Sequence, residues 1–249
     1  MSDDETYVVA AFVAAHRWLP PASYRPVHLP AEVVSVSECL TDCHPHDQKS
    51  MSDPPWHRSL DDALDAAAGD AAGCVPEPAP EHIIKRVLKR ITNRTVEEEV
   101  TLGTVHTLAM SVPASDADGL LTLMRQSIGD YPHPILTNLA LGAPPPAGQA
   151  LGFEVLGFDE GWFHTWLCYT LHEEAATRFG VFPNERGLLN TLAEARLVSD
   201  MANEGRGTVG GFAEEYTWFP ALVTQHDLVR QAAGIPGSSH RSSLTGEPL

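Results

Sequence analysis

The densest set of side chains able to do chemistry is Cys39, Cys43, His44, His46 and Asp47. Thiolate sulfur and imidazole nitrogen are the donors that a tetrahedral zinc ion takes, and iron accepts the same donor types. The centre implied is therefore zinc or iron held by Cys39, Cys43, His44 and His46. The spacing fits such a centre poorly. A structural zinc site joins two separated ligand pairs so that the ion crosslinks the chain, and no second Cys or His pair follows at a familiar interval. His57 or Cys74 would complete a set only by ordering a long loop between them. The plainer reading is a surface loop with an incidental polar cluster.

A second set lies along one stretch that reads as a helix. His164, Cys168 and His172 recur every four residues, and Trp162 and Trp166 share the same segment, so that the five outline a ligand pocket. One ion cannot bridge the two histidines: at ~1.5 Å rise per residue they stand about 12 Å apart along a helix, too far for bonds of ~2.1 Å. The segment is apolar nearly all round until His172, which favours a buried helix and an inert core thiol at Cys168. Trp162, Trp166 and Tyr169 then read first as core packing, with a ligand-stacking wall as the functional alternative. His172-Glu173-Glu174 lacks the second histidine of a metalloprotease helix, since that position holds Ala176.

Other signatures fail on context. The glycines at 205, 207, 210 and 211 follow a helical pattern rather than a strand and carry no Lys-Ser or Lys-Thr pair, so they make no phosphate cradle. No serine stands in a Gly-x-Ser-x-Gly elbow. Glu214-Glu215 and Asp61-Asp62 are neighbours in sequence, which says nothing of facing carboxylates.

The elements that must position these residues are read from periodicity and breakers. An apolar run over 6–18 stops at Pro20-Pro21 and predicts a strand; Val33, Val34 and Val36 predict a second over 32–37. Residues 38–56 form a loop. Ser59 caps a short helix with Asp61 and Asp62 in its first turn. A boundary falls near 74–80, followed by a helical apolar stripe from Ile83 to Ile91. Residues 105–112 predict a strand, and Ser115 caps a helix to 128. Residues 131–134 make a turn. Over 151–158, alternation places Phe153, Val155 and Gly157 on one strand face and Glu154, Leu156 and Phe158 on the other. Helices over 161–180 and 184–203 follow, expected to pack as an antiparallel hairpin, then a strand over 216–224. The tail 234–249 is expected to be disordered. The fold class expected is α+β: a mixed or largely antiparallel sheet covered on one side by helices, with a C-terminal helical hairpin, in one domain over 1–233.

Composition narrows the partners. Asp and Glu number 33 against 16 Lys and Arg, a formal charge of -17, which disfavours nucleic acid because that affinity rests on cations replacing counterions. The basic run Lys85, Arg86, Lys89, Arg90, Arg94 is answered at once by Glu97, Glu98 and Glu99. No run reaches the ~20 apolar residues that cross a bilayer. Asp3, Asp4 and Glu5 stand where a signal peptide would be basic, and four cysteines make no disulfide scaffold, so a cytoplasmic setting is expected. Two functional readings follow. The first is a cytoplasmic binding protein of inhibitor, immunity or accessory type that meets a protein partner, a basic one, through its acidic surface. The second is a metal-dependent enzyme whose site is assembled from scattered His and Cys residues.

Overall fold

β-Branched and aromatic residues concentrate in the stretches that become strands. The computed structural model describes residues 5–19, 32–38, 56–68, 85, 101–129, 131–159, 161–168, 171–204 and 216–226. Within them one antiparallel sheet is built from β1 (Tyr7–Leu19), β2 (Thr101–Pro113), β3 (Gln149–Asp159), β4 (Trp162–Thr165) and β5 (Thr217–His226). Their spatial order is β1-β2-β5-β3-β4, so the last strand in the chain is the middle of the sheet. That position explains its composition. A strand covered on both faces reads as a continuous apolar run, here Trp218 to Val223.

Pro220 interrupts that run without breaking the ladder. Phe153 exchanges both backbone hydrogen bonds with Leu189, on the side of β3 away from β5. Two residues on, Val155 therefore also turns its backbone away from β5, and its partner Pro220 occupies a non-hydrogen-bonded position. The missing N–H of Pro220 thus faces the β2 side beyond the last pair of the β2–β5 ladder, Ser111↔Leu222.

Five α-helices cover the sheet among the described residues: α1 (Leu60–Ala67), α2 (Ala114–Ile128), α3 (Pro134–Leu141), α4 (Leu171–Phe179) and α5 (Leu192–Glu204), with a 3-10 turn at Trp166–Cys168. Met124 of α2 and Ile135 of α3 pack with Leu108, Met110, Leu156 and Phe163 on one face. Leu171 of α4 and Val198 and Met201 of α5 pack with Phe153, Val155 and Trp218 on the other. The sheet is therefore covered on both faces rather than on one. Side chains of alternate residues divide between the two cores as the 151–158 pattern predicts.

The fold is α+β with an antiparallel sheet, and the strands expected at 6–18, 105–112, 151–158 and 216–224 are present. Ser59 caps α1 as expected, its Oγ accepting from the Asp62 N–H at 3.1 Å. Ser115 does not cap α2; its hydroxyl instead donates to Asp116 Oδ1 at 3.1 Å and accepts from Arg196 at 3.0 Å. The expected helical hairpin is not confirmed. Residues 162–165 are strand, and α4 and α5 are shorter helices separated by the irregular segment 180–191. The cause is local: two residues separate Asp159 from Trp162, and Gly161 takes φ 93°, which closes a tight hairpin. An apolar run with no period is as good a buried strand as a buried helix, and the turn decides between them.

The predicted strand at 32–37 is a strap rather than a strand. Val33 exchanges hydrogen bonds with Trp18 at the end of β1, at 3.0 and 2.7 Å. Val34 N donates to Arg186 O at 3.0 Å, Val36 N to Glu154 Oε2 at 2.9 Å, and Phe163 N of β4 to Glu38 Oε2 at 2.8 Å. Segment 32–38 thereby joins the β1 edge to the β4 edge and curls the sheet. Glu32 fixes its start, accepting from Arg17 at 2.9 Å and forming an ion pair with Arg186 at 3.2 Å. Among the described residues no helix is long and apolar enough to cross a membrane. The boundary near 74–80, the basic run, the glycine loop and the tail lie outside the described residues apart from Lys85.

Candidate functional site

Two surface features meet at the end of the sheet where β3, β4 and β5 are adjacent. The first is an aromatic cluster set by register. Asp159 pairs with Trp162 and Gly157 with His164, while Gly157 also pairs with Trp218 on the opposite side. Continuing the Phe158↔Thr217 pair by one residue sets Tyr216 opposite Asp159. Paired residues share a sheet face, so Trp162, His164, Asp159, Tyr216 and Trp218 all project from the face that α5 covers.

His164 and Tyr216 come from strands on either side of β3, about 9.6 Å apart at ~4.8 Å per strand spacing. Their ring centroids are nonetheless 4.7 Å apart, inclined at 65°. The rings therefore lean towards each other over β3. Gly157 permits the crowding: a Cβ there would lie 2.9 Å from three ring atoms of Trp218. Tyr216 and Trp218 follow at 5.8 Å and 56°. Trp218 is 2% exposed and forms the floor. Trp162, His164, Tyr216 and Asp159 are half-buried and form the rim.

Asn203, at the end of α5, fixes the floor. Gly157↔Trp218 is a non-hydrogen-bonded pair by the same alternation, so Trp218 turns its backbone away from β3, past the end of β2. Asn203 takes the place of a strand there: its Oδ1 accepts from Trp218 N at 2.9 Å and its Nδ2 donates to Trp218 O at 2.8 Å. Asn203→Ala is expected to cost about 1–2 kcal/mol of stability by leaving two backbone groups without partners. Urea unfolding checks this, and Asn203→Asp, which sets a carboxylate against the Trp218 carbonyl, is expected to be no better than alanine.

The second feature is a groove of about 690 Å³ on the other face, between α2 and the start of β5. Leu120, Leu123 and Phe219 line it, and Asp116 and Asp118 stand at its side.

The residues predicted as one pocket are divided. Trp162 and His164 reach the rim. Trp166 is 0% exposed in the second core, and its indole N–H has no hydrogen-bond partner among the described residues. His172, on α4, is 5% exposed, with Nε2 at 4.0 Å from Glu173 and its ring 6.5 Å from Trp166. Cys168 closes the 3-10 turn, and its side chain is outside the described set. The helical stripe that linked the five does not exist because 162–165 is extended. Cys39, Cys43, His44 and His46 also lie outside the described residues. Among those described, no group of three or more His, Cys, Asp or Glu is placed to hold a metal ion. Asp159, Tyr216 and Trp218 were missed as site residues, since only register brings them beside Trp162 and His164; Gly157, small in a strand of large residues, was the available signal.

Arg17 and Arg186 are tied to Glu32, Arg178 to Glu174 at 2.9 Å, and Arg196 to Glu5 at 3.2 Å. These pairs neutralise arginines within the fold, while the chain as a whole keeps a charge of -17. Comparison of the chain with protein-family models, with curated proteins and with solved structures returns no match.

Proposed function

We propose that this chain is an acidic protein-binding protein, of inhibitor, immunity or accessory type, that docks a basic protein partner. The observation that supports it is the groove beside α2, an apolar floor of Leu120, Leu123 and Phe219 next to the carboxylates of Asp116 and Asp118. Apolar contact supplies affinity, and the carboxylates select lysine- or arginine-bearing segments and speed encounter. Such association weakens with salt, because exposed charges are screened over about 8 Å at physiological ionic strength. The setting proposed is the cytoplasm.

The test is capture of the partner from the native extract at low salt, using three forms of the chain. Wild type and the control Asp61→Asn/Asp65→Asn, which removes equal charge from α1, are expected to retain a partner that elutes as salt rises. Asp116→Asn/Asp118→Asn is expected to lose it. A partner held equally by all three forms, or none held at low salt, overturns the groove as the docking surface.

A further inference from the structure

We infer that the cavity between α1 and α3 at the edge of β1 is a binding site for a free apolar α-amino acid. Arg58 takes its carboxylate, Asp62 and Asn138 its ammonium, and Phe12, Leu60, Leu141 and Pro146 surround its side chain. This site is separate from the groove beside α2 and does not rest on the docking reading. Two segments frame it by pairing with the same strand edge: His57 exchanges hydrogen bonds with Phe12 at 3.0 and 2.7 Å, and Ala143 O accepts from Val9 N at 2.9 Å. Between them opens a cavity of about 520 Å³, a size ordinary for small-molecule sites. Val9 and Phe12 are its buried wall, while Leu141, 65% exposed, leaves apolar surface at its mouth.

The polar groups set the ligand class. Asn138 lines the cavity although it is only 4% exposed. Its Nδ2 donates to Arg58 O at 3.1 Å, which ties α3 to the segment before α1. Its Oδ1 has no hydrogen-bond partner among the described residues and is not sealed from solvent, so this buried amide presents an open acceptor to the cavity. Buried polar groups are ordinarily satisfied, and an open acceptor in a cavity wall is where a ligand donor belongs. Arg58 and Asp62 line the same cavity on either side of the Ser59 cap. The Arg58 guanidinium has no partner among the described residues, and Asp62 commits Oδ2 alone, to the Ser59 hydroxyl at 2.6 Å. Opposite charges left apart in one cavity fit a ligand that carries both. A carboxylate alone would be repelled by Asp62, and an amine alone by Arg58. A zwitterion answers both through charge-assisted hydrogen bonds, and its apolar side chain has the remaining wall to cover. Only a free amino acid offers this set, since a residue within a peptide keeps at most one of the two charges.

The probes are L-leucine, L-phenylalanine, glycine, N-acetyl-phenylalanine, which lacks the ammonium, and phenylalanine amide, which lacks the carboxylate. Titration calorimetry on the full chain gives the affinities. Leucine and phenylalanine are expected to bind saturably. Glycine and the two blocked forms are each expected to bind at least about tenfold more weakly, the scale of one lost charge-assisted hydrogen bond or side-chain contact. Arg58→Gln, at an exposed residue whose side chain holds nothing in the fold, is expected to weaken leucine about tenfold and to leave phenylalanine amide unchanged. Asn138→Ala is expected to weaken leucine by a similar factor; because it also frees Arg58 O, the Arg58 variant carries the test should Asn138→Ala fold poorly. Glycine or a blocked form bound as tightly as the free apolar amino acids, wild-type affinity in Arg58→Gln, or no saturable binding of leucine or phenylalanine overturns the assignment.

Discussion

Glu154→Ala is expected to lower stability by about 3 kcal/mol, through the buried donors it orphans and the strap it releases. Glu154 projects from β3 and is 1% exposed. Its Oε2 accepts from Val36 N at 2.9 Å and its Oε1 from the Ser35 hydroxyl at 2.6 Å. The single Ser35 proton is thereby committed to the carboxylate, so in the 2.6 Å Ser35–Ser37 contact the proton comes from Ser37. Ser35 Oγ also accepts from Ser37 N at 2.9 Å. Every donor in this chain of contacts ends on Glu154. Two effects oppose each other on its removal. Burying a carboxylate costs several kcal/mol, which the alanine variant recovers in part. Against that, Val36 N–H and Ser35 O–H lose their acceptor away from water, at about 1–3 kcal/mol each, and a cavity is left between strap and sheet. The second effect wins because two buried donors of the strap, Val36 N–H and Ser35 O–H, both end on this one carboxylate. Glu154→Gln separates charge from geometry: its oxygen can still accept from Val36, while its amide faces a Ser35 oxygen already serving as an acceptor, for a cost of about 1 kcal/mol. Denaturant unfolding measures both variants, and hydrogen exchange at the Val36 amide locates the loss. An alanine variant within about 0.5 kcal/mol of wild type would show that the strap does not hang on this carboxylate.

The acid limb of the stability profile is expected to be steep and to flatten when His133 is replaced. His133 precedes α3, with Pro134 at the first helical position, and its Nδ1 accepts from the Ile135 N–H at 3.2 Å. Burial pushes its pKa down to about 4. Only the neutral ring can accept that hydrogen bond, and a charged ring would sit at the positive end of a helix. The sign follows. Between the folded value near 4 and the unfolded value near 6.5 the unfolded chain binds a proton that the folded chain refuses, so stability falls as pH falls through that window. Above pH 6.5 the contribution is complete; the span corresponds to about 3 kcal/mol. His57, also pushed down by burial, adds to the same limb. His133→Asn keeps an acceptor suited to the cap but does not titrate. Its unfolding free energy is expected to fall less than that of wild type between pH 6.5 and 4, with near parity at pH 7.5. Superimposable pH profiles for the two proteins would remove His133 from the acid response.

The sequence by itself determined four of the five described strands, β1, β2, β3 and β5, and above all the division of β3. Alternation is a local property: residues two apart share a face whatever the rest of the chain does, so Phe153 and Val155 part from Leu156 and Phe158 before any packing is known. It also determined the cap at Ser59 and the net charge of -17. The helix expected over 161–168 is instead a strand and a 3-10 turn, because a run that is apolar at most positions carries too little period to tell the two apart. Only the tertiary structure decided that Gly161 closes a hairpin there, that β5 inserts between β2 and β3, and that Asn203 serves as its missing neighbour. The candidate site was half legible for the same reason. Trp162 and His164 stood out by type, but Asp159, Tyr216 and Trp218 join them only once strands distant in sequence are laid side by side. Register between such strands is set by the burial of whole faces and not by neighbouring residues, so it is written nowhere in the local pattern.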